Sequence, residues 1–252
     1  MGLFDKKYCD VCGEKIGLLG NRKLEDANLC KKCAAKLSPY FNERRHSTLN
    51  EIKAQLAYRE ANQEALNDFH VTRVLDGSKK IMIDEDQGKF VVTSSRNLVE
   101  DNPDIISFSQ VTGCDIDVRE SKSEIERKDS EGKSVSYNPP RFQYYYTFYV
   151  KIHINGEYFD EISYQLNPSR IEVTPSYLGS DRMPNPDLDV EYMKWSDTAR
   201  EIKETLEQVR LNARAAAAKA KEGPKIVKCP YCQAVTRMTA DGRCEYCGGP
   251  LE

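Results

Sequence analysis

Hydrophobic positions change their spacing along the chain, and each change marks an element. In STLNEIKAQLAYREANQEALNDF, Leu49, Ile52, Leu56, Ala65, Leu66 and Phe69 fall near helical spacing. Thr48 followed by Glu51 is a capping-box signature, so the pattern predicts an amphipathic helix over 49–69. From KKIMIDEDQGKFVVTSS the period drops to two, and strands are expected over 80–84 and 89–94 around a turn at 85–88. ISFSQVTGCDIDVRE reads as a further strand. SKSEIERKDSEGKSVSYNPP is charged, rich in serine and closed by two prolines, which predicts a long mobile loop over 120–140.

The strongest alternation lies in YYYTFYVKIHINGEYFDEISYQL. Tyr144, Tyr146, Phe148, Val150, Ile152 and Ile154 share one face, and Tyr145, Thr147, Tyr149, Lys151 and His153 the other. Asn155-Gly156 is expected to close a hairpin through a type I′ turn, since both residues tolerate positive φ. After a loop holding Pro184 and Pro186, DVEYMKWSDTAREIKETLEQVRLNARAAAAKAKE predicts one long helix. Its buried stripe is read as Met193, Ala199, Ile202, Leu206 and Val209, with Trp195 near its start. The last turns hold alanine and lysine without an apolar stripe and are expected to project as a stiff arm. Gly223-Pro224 is the expected stop.

Cysteine spacing changes this picture most. Eight of the nine cysteines form two paired Cys-x-x-Cys patterns: Cys9, Cys12, Cys30 and Cys33 near one end, Cys229, Cys232, Cys244 and Cys247 near the other. Two such turns present four thiolates at tetrahedral angles and close a metal's coordination shell, so structural zinc, two ions per chain, is the expected cofactor. Iron in a rubredoxin-like site takes the same ligands, and CPYC with CEYCGG has that look. The short spacer QAVTRMTADGR lacks the aromatic shield such a site uses, which places zinc ahead of iron. Gly13, Gly248 and Gly249 come directly after the knuckles, where positive φ is expected.

The two clusters differ in the chain beyond their last cysteine. LCKKCAAKL continues into helix formers and resembles a treble-clef finger, with a knuckle, a hairpin around IGLLGNRKL and a last ligand pair in a helical turn. CEYCGGPLE resembles a minimal zinc ribbon. Strands followed by one packing helix is the order of a pleckstrin-homology-like sandwich, and DIISFSQVTGCDIDVRE resembles a strand motif of bacterial domains of that kind. CDVCGEKIGLLGNRKL and CKKCAAKL resemble the opening of a bacterial zinc-finger family that is a domain of unknown function. That resemblance implies a fold and a metal and brings no known activity with it.

The expected fold class is therefore α+β, in four parts: a treble-clef-like finger over 1–46, an amphipathic helix over 47–70, a pleckstrin-homology-like antiparallel sandwich with a long C-terminal helix over 71–222, and a zinc ribbon over 225–252. No run of eighteen apolar residues exists, so no membrane span is expected, and MGLFDKKYC lacks the apolar stretch of a leader, which predicts a cytoplasmic location with reduced thiols.

Other features have plainer readings. Cys114 reads as an inert core residue. His46, His70 and His153 stand at no ligand spacing. Tyr144 to Tyr149 read as sheet packing rather than a base-stacking platform, and Asp84, Glu85 and Asp86 as a solvated hairpin tip rather than a calcium site. No phosphate loop, nucleophile elbow or His-Glu-x-x-His is present, so no small-molecule substrate is evident and a non-enzymatic adaptor, acting through protein partners or self-association, is expected. Residues 1–46 hold ten Lys and Arg against six Asp and Glu, so a nucleic-acid-associated regulator reading phosphates through the first finger is the alternative.

Overall fold

The computed structural model describes residues 6–174, 184–222, 226–239 and 241–251, with the backbone alone for 220–222 and 226. It is a mixed helix and sheet protein with a four-cysteine cluster towards each end. Internal packing groups Met1–Arg210 into one compact unit and Leu211–Glu252 into a second.

The first unit opens with four two-residue strands, β1 (Lys7–Tyr8), β2 (Lys15–Ile16), β3 (Arg22–Lys23) and β4 (Asn28–Leu29), and a short helix, α1 (Lys31–Ala34). β1 pairs with β2 and β3 with β4. The expected hairpin around IGLLGNRKL is shifted: β3 and β4 turn at 24–27, where Leu24 and Leu29 enter the core, while Leu18 and Leu19 stay exposed.

Helix α2 (Leu49–Ala65) carries the expected capping box: Thr48 Oγ1 accepts from Glu51 N at 3.4 Å and Glu51 Oε2 from Thr48 N at 2.7 Å. Its buried face departs from the expected one. Ile52, Gln55, Arg59, Asn62 and Leu66 recur at helical spacing, so three of five buried positions are polar. Arg59 Nη1 meets Asp104 Oδ1 at 2.7 Å with both side chains almost wholly buried, and Ser38 Oγ donates to Asp104 Oδ2 at 2.8 Å. Arg59 also reaches the carbonyls of Lys36 and Asn102, and Asn62 donates to the Pro103 carbonyl at 2.8 Å and accepts from Ile105 N at 2.9 Å. One helix thus ties the finger, through Lys36 and Ser38, to the stretch that feeds the sheets. Tyr40 on Phe159 and Phe41 on Tyr158 add aromatic contacts to the same join.

Strands β5 (Arg73–Leu75), β6 (Lys80–Asp84), β7 (Lys89–Thr93) and β8 (Ile106–Ser107) form one antiparallel sheet in chain order, with the short helix α3 (Leu98–Asp101) between the last two. In the second sheet, β9 (Val111–Lys128) lies along one side of β10 (Ser134–Ile154), and β11 (Glu161–Gln165) and β12 (Ile171–Val173) share its other side. The expected face of β10, from Tyr144 to Ile154, is buried against Ile81, Ile83, Phe90 and Val92 of the first sheet. Helix α4 (Val190–Glu222) closes this core with Ala199, Ile202 and Leu206.

Three local expectations are corrected. Residues 120–140 form a two-stranded ribbon, not a loop: the β9–β10 ladder runs out to Ser134 opposite Lys128, interrupted between Ser136 and Arg141, and turns at Asp129, whose carboxylate accepts from Glu131 N and Lys133 N at 2.9 Å. Ladder hydrogen bonds do not require apolar side chains, and Lys122 over Phe142 and Arg141 over Tyr137 cover the backbone. The β10–β11 connection spans 155–160 and neither Asn155 nor Gly156 takes positive φ; Gly156 is needed because a Cβ there would meet the Phe159 carbonyl at 2.5 Å. On α4, Met193 is exposed and Tyr192 packs on the core in its place, while Trp195 and Val209 pack there as expected. The stripe is Tyr192, Trp195, Ala199, Ile202, Leu206 and Val209, alternating steps of three and four, and Met193 is one residue off it. The expected stop at Gly223-Pro224 lies outside the described residues.

Candidate metal centres

Three of the four Cys-x-x-Cys pairs are built by the same two backbone hydrogen bonds. Cys9 N donates to Glu14 O at 2.9 Å and Gly13 N returns to Cys9 O at 2.8 Å. Cys229 N to Ala234 O with Gln233 N to Cys229 O, and Cys244 N to Gly249 O with Gly248 N to Cys244 O, repeat the loop at 2.8 to 2.9 Å. The residue after the second cysteine must turn left: Gly13 has φ 73°, Gly248 69° and Gln233 58°. Gly249, expected to do the same, does not; its place is set by Tyr231, whose ring a Cβ would meet at 2.7 Å. In the fourth pair Cys30 is the N-cap of α1, its sulfur accepts from Cys33 N at 3.4 Å, and the chain continues as helix.

These loops bring Cys9, Cys12, Cys30 and Cys33 together, and Cys229, Cys232, Cys244 and Cys247 together, with all Sγ atoms of a cluster within 4.8 Å of one another. Cys12 and Cys30 sulfurs are 3.8 Å apart, Cys229 and Cys247 3.6 Å, Cys232 and Cys244 3.7 Å. A tetrahedron with zinc–sulfur bonds of about 2.3 Å has edges of about 3.8 Å, so the donor sets fit a tetrahedral ion. A disulfide needs about 2.05 Å, and all nine cysteines are free. Each cluster could hold one metal ion, and the four-thiolate chemistry is consistent with zinc.

Electrostatics within each cluster favour a cation. Burial pushes the Cys9 thiol up, but backbone N–H groups of Cys12, Cys30 and Val11 outweigh it and bring its pKa to about 6. Cys244 reaches about 6 in the same way, burial being outweighed by the N–H groups of Cys247 and Tyr246. Cys33 is pushed up by burial and then by the neighbouring sulfurs of Cys12, Cys30 and Cys9. One thiolate therefore raises the cost of the next, and a divalent ion reverses that conflict by stabilising all four. In the first cluster Cys9 Sγ also accepts from Cys30 N at 3.3 Å, which orients a ligand and spreads its charge.

Among the described residues the groups of three or more metal-capable side chains are these two sets. His153 stands 2.9 Å from Asp115 and 3.8 Å from Glu161 on an exposed sheet face, and His70 4.0 Å from Asp86. Cys114 is buried, and burial, with Asp115 next, pushes its thiol up to about 12, as suits a core residue. Asp84 is not a solvated tip: it is fully buried, accepts from His70 N and Gln87 N at 2.9 Å, and is held below its ordinary range because those bonds outweigh burial. No helix of the described residues is long and apolar enough to cross a membrane.

Two features escape the sequence patterns. One is the polar seam of Arg59, Asn62 and Asp104, whose signal is charge at buried helical spacing. The other is a cationic cleft of about 570 Å3 on the first finger, lined by Asn21, Arg22, Lys23, Leu24, Glu25, Arg44 and Arg45. A protein-family model described as a domain of unknown function, DUF4428, matches residues 7–55, which span the first cluster and the opening turns of α2. No curated protein and no solved structure matches the chain.

Proposed function

We propose that the protein is a zinc-stabilised, non-enzymatic intracellular adaptor whose structural ions hold two small modules for contact with other polypeptides. The observation that supports this reading most is the closure of both shells: four sulfurs complete a tetrahedral ion and leave no position for water or substrate. The second module adds to it, because the ribbon turns Tyr231, Val235 and Tyr246 outwards at 67%, 68% and 72% exposure. Aromatic residues presented on a metal-held knuckle suit a docking surface. The middle of the first unit is read as a pleckstrin-homology-like scaffold, which two antiparallel sheets and a closing helix support.

The test uses the full chain with a photo-cross-linker at position 246, in the cell that makes it. Adducts concentrated on one polypeptide, or on a second copy of the chain, and lost in Tyr231→Ser support the adaptor. An absence of adducts, or a substrate turnover that disappears with Cys247→Ser, contradicts it.

A further inference from the structure

The first finger carries an apolar point set among cations that its own fold does not use. Gly20 N donates to Gly17 O at 2.9 Å, a tight turn that puts Leu18 and Leu19 at its apex. These side chains are 88% and 82% exposed, more than any other large hydrophobic side chain among the described residues. Nothing in the finger's stability explains them, since its core is made by Ile16, Leu24, Leu29 and Leu37.

Cations line two cavities near the turn. Arg22 Nη1 reaches the Leu19 carbonyl at 3.5 Å and continues into the cleft formed with Lys23, Arg44 and Arg45, where Glu25 is the carboxylate of the lining. Burial, then the neighbouring charges of Arg45 and Arg22, hold Arg44 below the ordinary arginine range. Lys15, Lys31 and Lys32 line a second hollow, of about 330 Å3, with the two leucines, Lys32 being paired to Glu14 at 3.1 Å.

We propose that the N-terminal finger docks on an anionic lipid bilayer, with Leu18 and Leu19 entering the headgroup–acyl boundary and Arg22, Lys23, Arg45 and Lys15 meeting the headgroups around them. Shape and charge favour this occupant. Two leucines on a convex turn cannot bury the roughly 800 Å2 per partner of a standard protein interface. A nucleic acid would satisfy the cations and leave the leucines in water. A bilayer satisfies both, each leucine contributing about tenfold and each cation near an anionic leaflet about fivefold to partition.

Flotation of the full, zinc-loaded chain with phosphatidylcholine vesicles, with and without about one third phosphatidylserine, tests it. Binding is expected to the anionic vesicles. Leu18→Ser with Leu19→Ser should weaken it about a hundredfold with metal content and circular dichroism unchanged, because neither side chain enters the core. Arg22→Gln with Arg45→Gln should weaken it about 25-fold and flatten its salt dependence. The proposal is overturned by absent vesicle binding or by binding indifferent to the serine pair. It is equally overturned by retention on RNA or duplex DNA in place of vesicles, or by a dimer that the serine pair dissociates.

Discussion

The finger over residues 7–46 and the ribbon over 226–251 hold the same four-sulfur donor set in surroundings of unequal strength. The finger buries Ile16, Leu24, Leu29 and Leu37 beside Cys9, Cys30 and Cys33, with Ile52 of α2 completing the cluster. Asp26 Oδ1 accepts from Leu49 N at 2.8 Å, Arg44 Nη1 donates to Lys23 O at 2.7 Å, and the Arg59–Asp104 pair anchors the next segment of the chain. The ribbon buries Leu251 beside Cys229 and Cys244, with Val227 and Met238 partly covered. Identical ligands would therefore do different work: an ion bound in the first cluster would consolidate a finger that has a core, and one bound in the second would supply nearly the whole reason for the ribbon to fold.

The largest expected effect breaks that comparison at the metal. Cys229→Ser should leave 226–251 without protection in amide hydrogen exchange, whereas Cys9→Ser should free 7–33 and spare the amides of α2, held through Arg59 and Asn62. Equal loss of protection in α2 and in the finger would show that the polar seam does not stand alone. Next comes the seam itself. Arg59→Met leaves Asp104 buried without its partner and should cost about 3–5 kcal/mol in urea melts at neutral pH. Burial already holds the Asp104 carboxyl above its ordinary range against Arg59 and Ser38. An acid with a raised folded pKa loses its contribution as pH rises from the ordinary value, about 3.9, through the raised one. Without Arg59 the Asp104 carboxyl rises further still, so the penalty of Arg59→Met should be smallest below the native folded pKa and grow above it until the higher pKa of the variant is passed; a penalty independent of pH would exclude Asp104 as its source.

Smaller effects sharpen the comparison. Gln233 and Gly13 occupy equivalent left-handed positions, so Gln233→Gly should stabilise the metal-bound ribbon by about 1 kcal/mol and Gly13→Gln should weaken the finger by a similar amount, read as opposite shifts in competition with a zinc chelator. Smallest is Gln55→Leu: its buried amide has no hydrogen-bond partner among the described residues, so the change should be neutral or stabilising by up to about 1 kcal/mol in the same melts.

Elements whose signal is local were legible in the sequence. The eight cysteines announce both clusters, Thr48 and Glu51 announce the start of α2, and strict alternation announces the buried face of β10. The rest depends on partners distant in sequence. Arg59 reads as a surface residue until Asp104 and Ser38 surround it, and the serine-rich stretch beyond Glu120 reads as loop because its ladder is inherited from the apolar half of β9 and β10. Met193 reads as a core residue because hydrophobicity alone cannot choose between adjacent positions when Tyr192, with its ring 5.1 Å from both Tyr146 and Phe148, is the better fit.

The central claim is that two closed four-thiolate shells exist in one chain, and metal analysis joined to X-ray absorption on the purified, reduced protein measures it directly. Two zinc ions per chain are expected, each with four sulfur neighbours at about 2.3 Å, falling to one in Cys12→Ser and to one in Cys247→Ser. A single ion in the intact chain, or nitrogen or oxygen in the first coordination sphere, would contradict it.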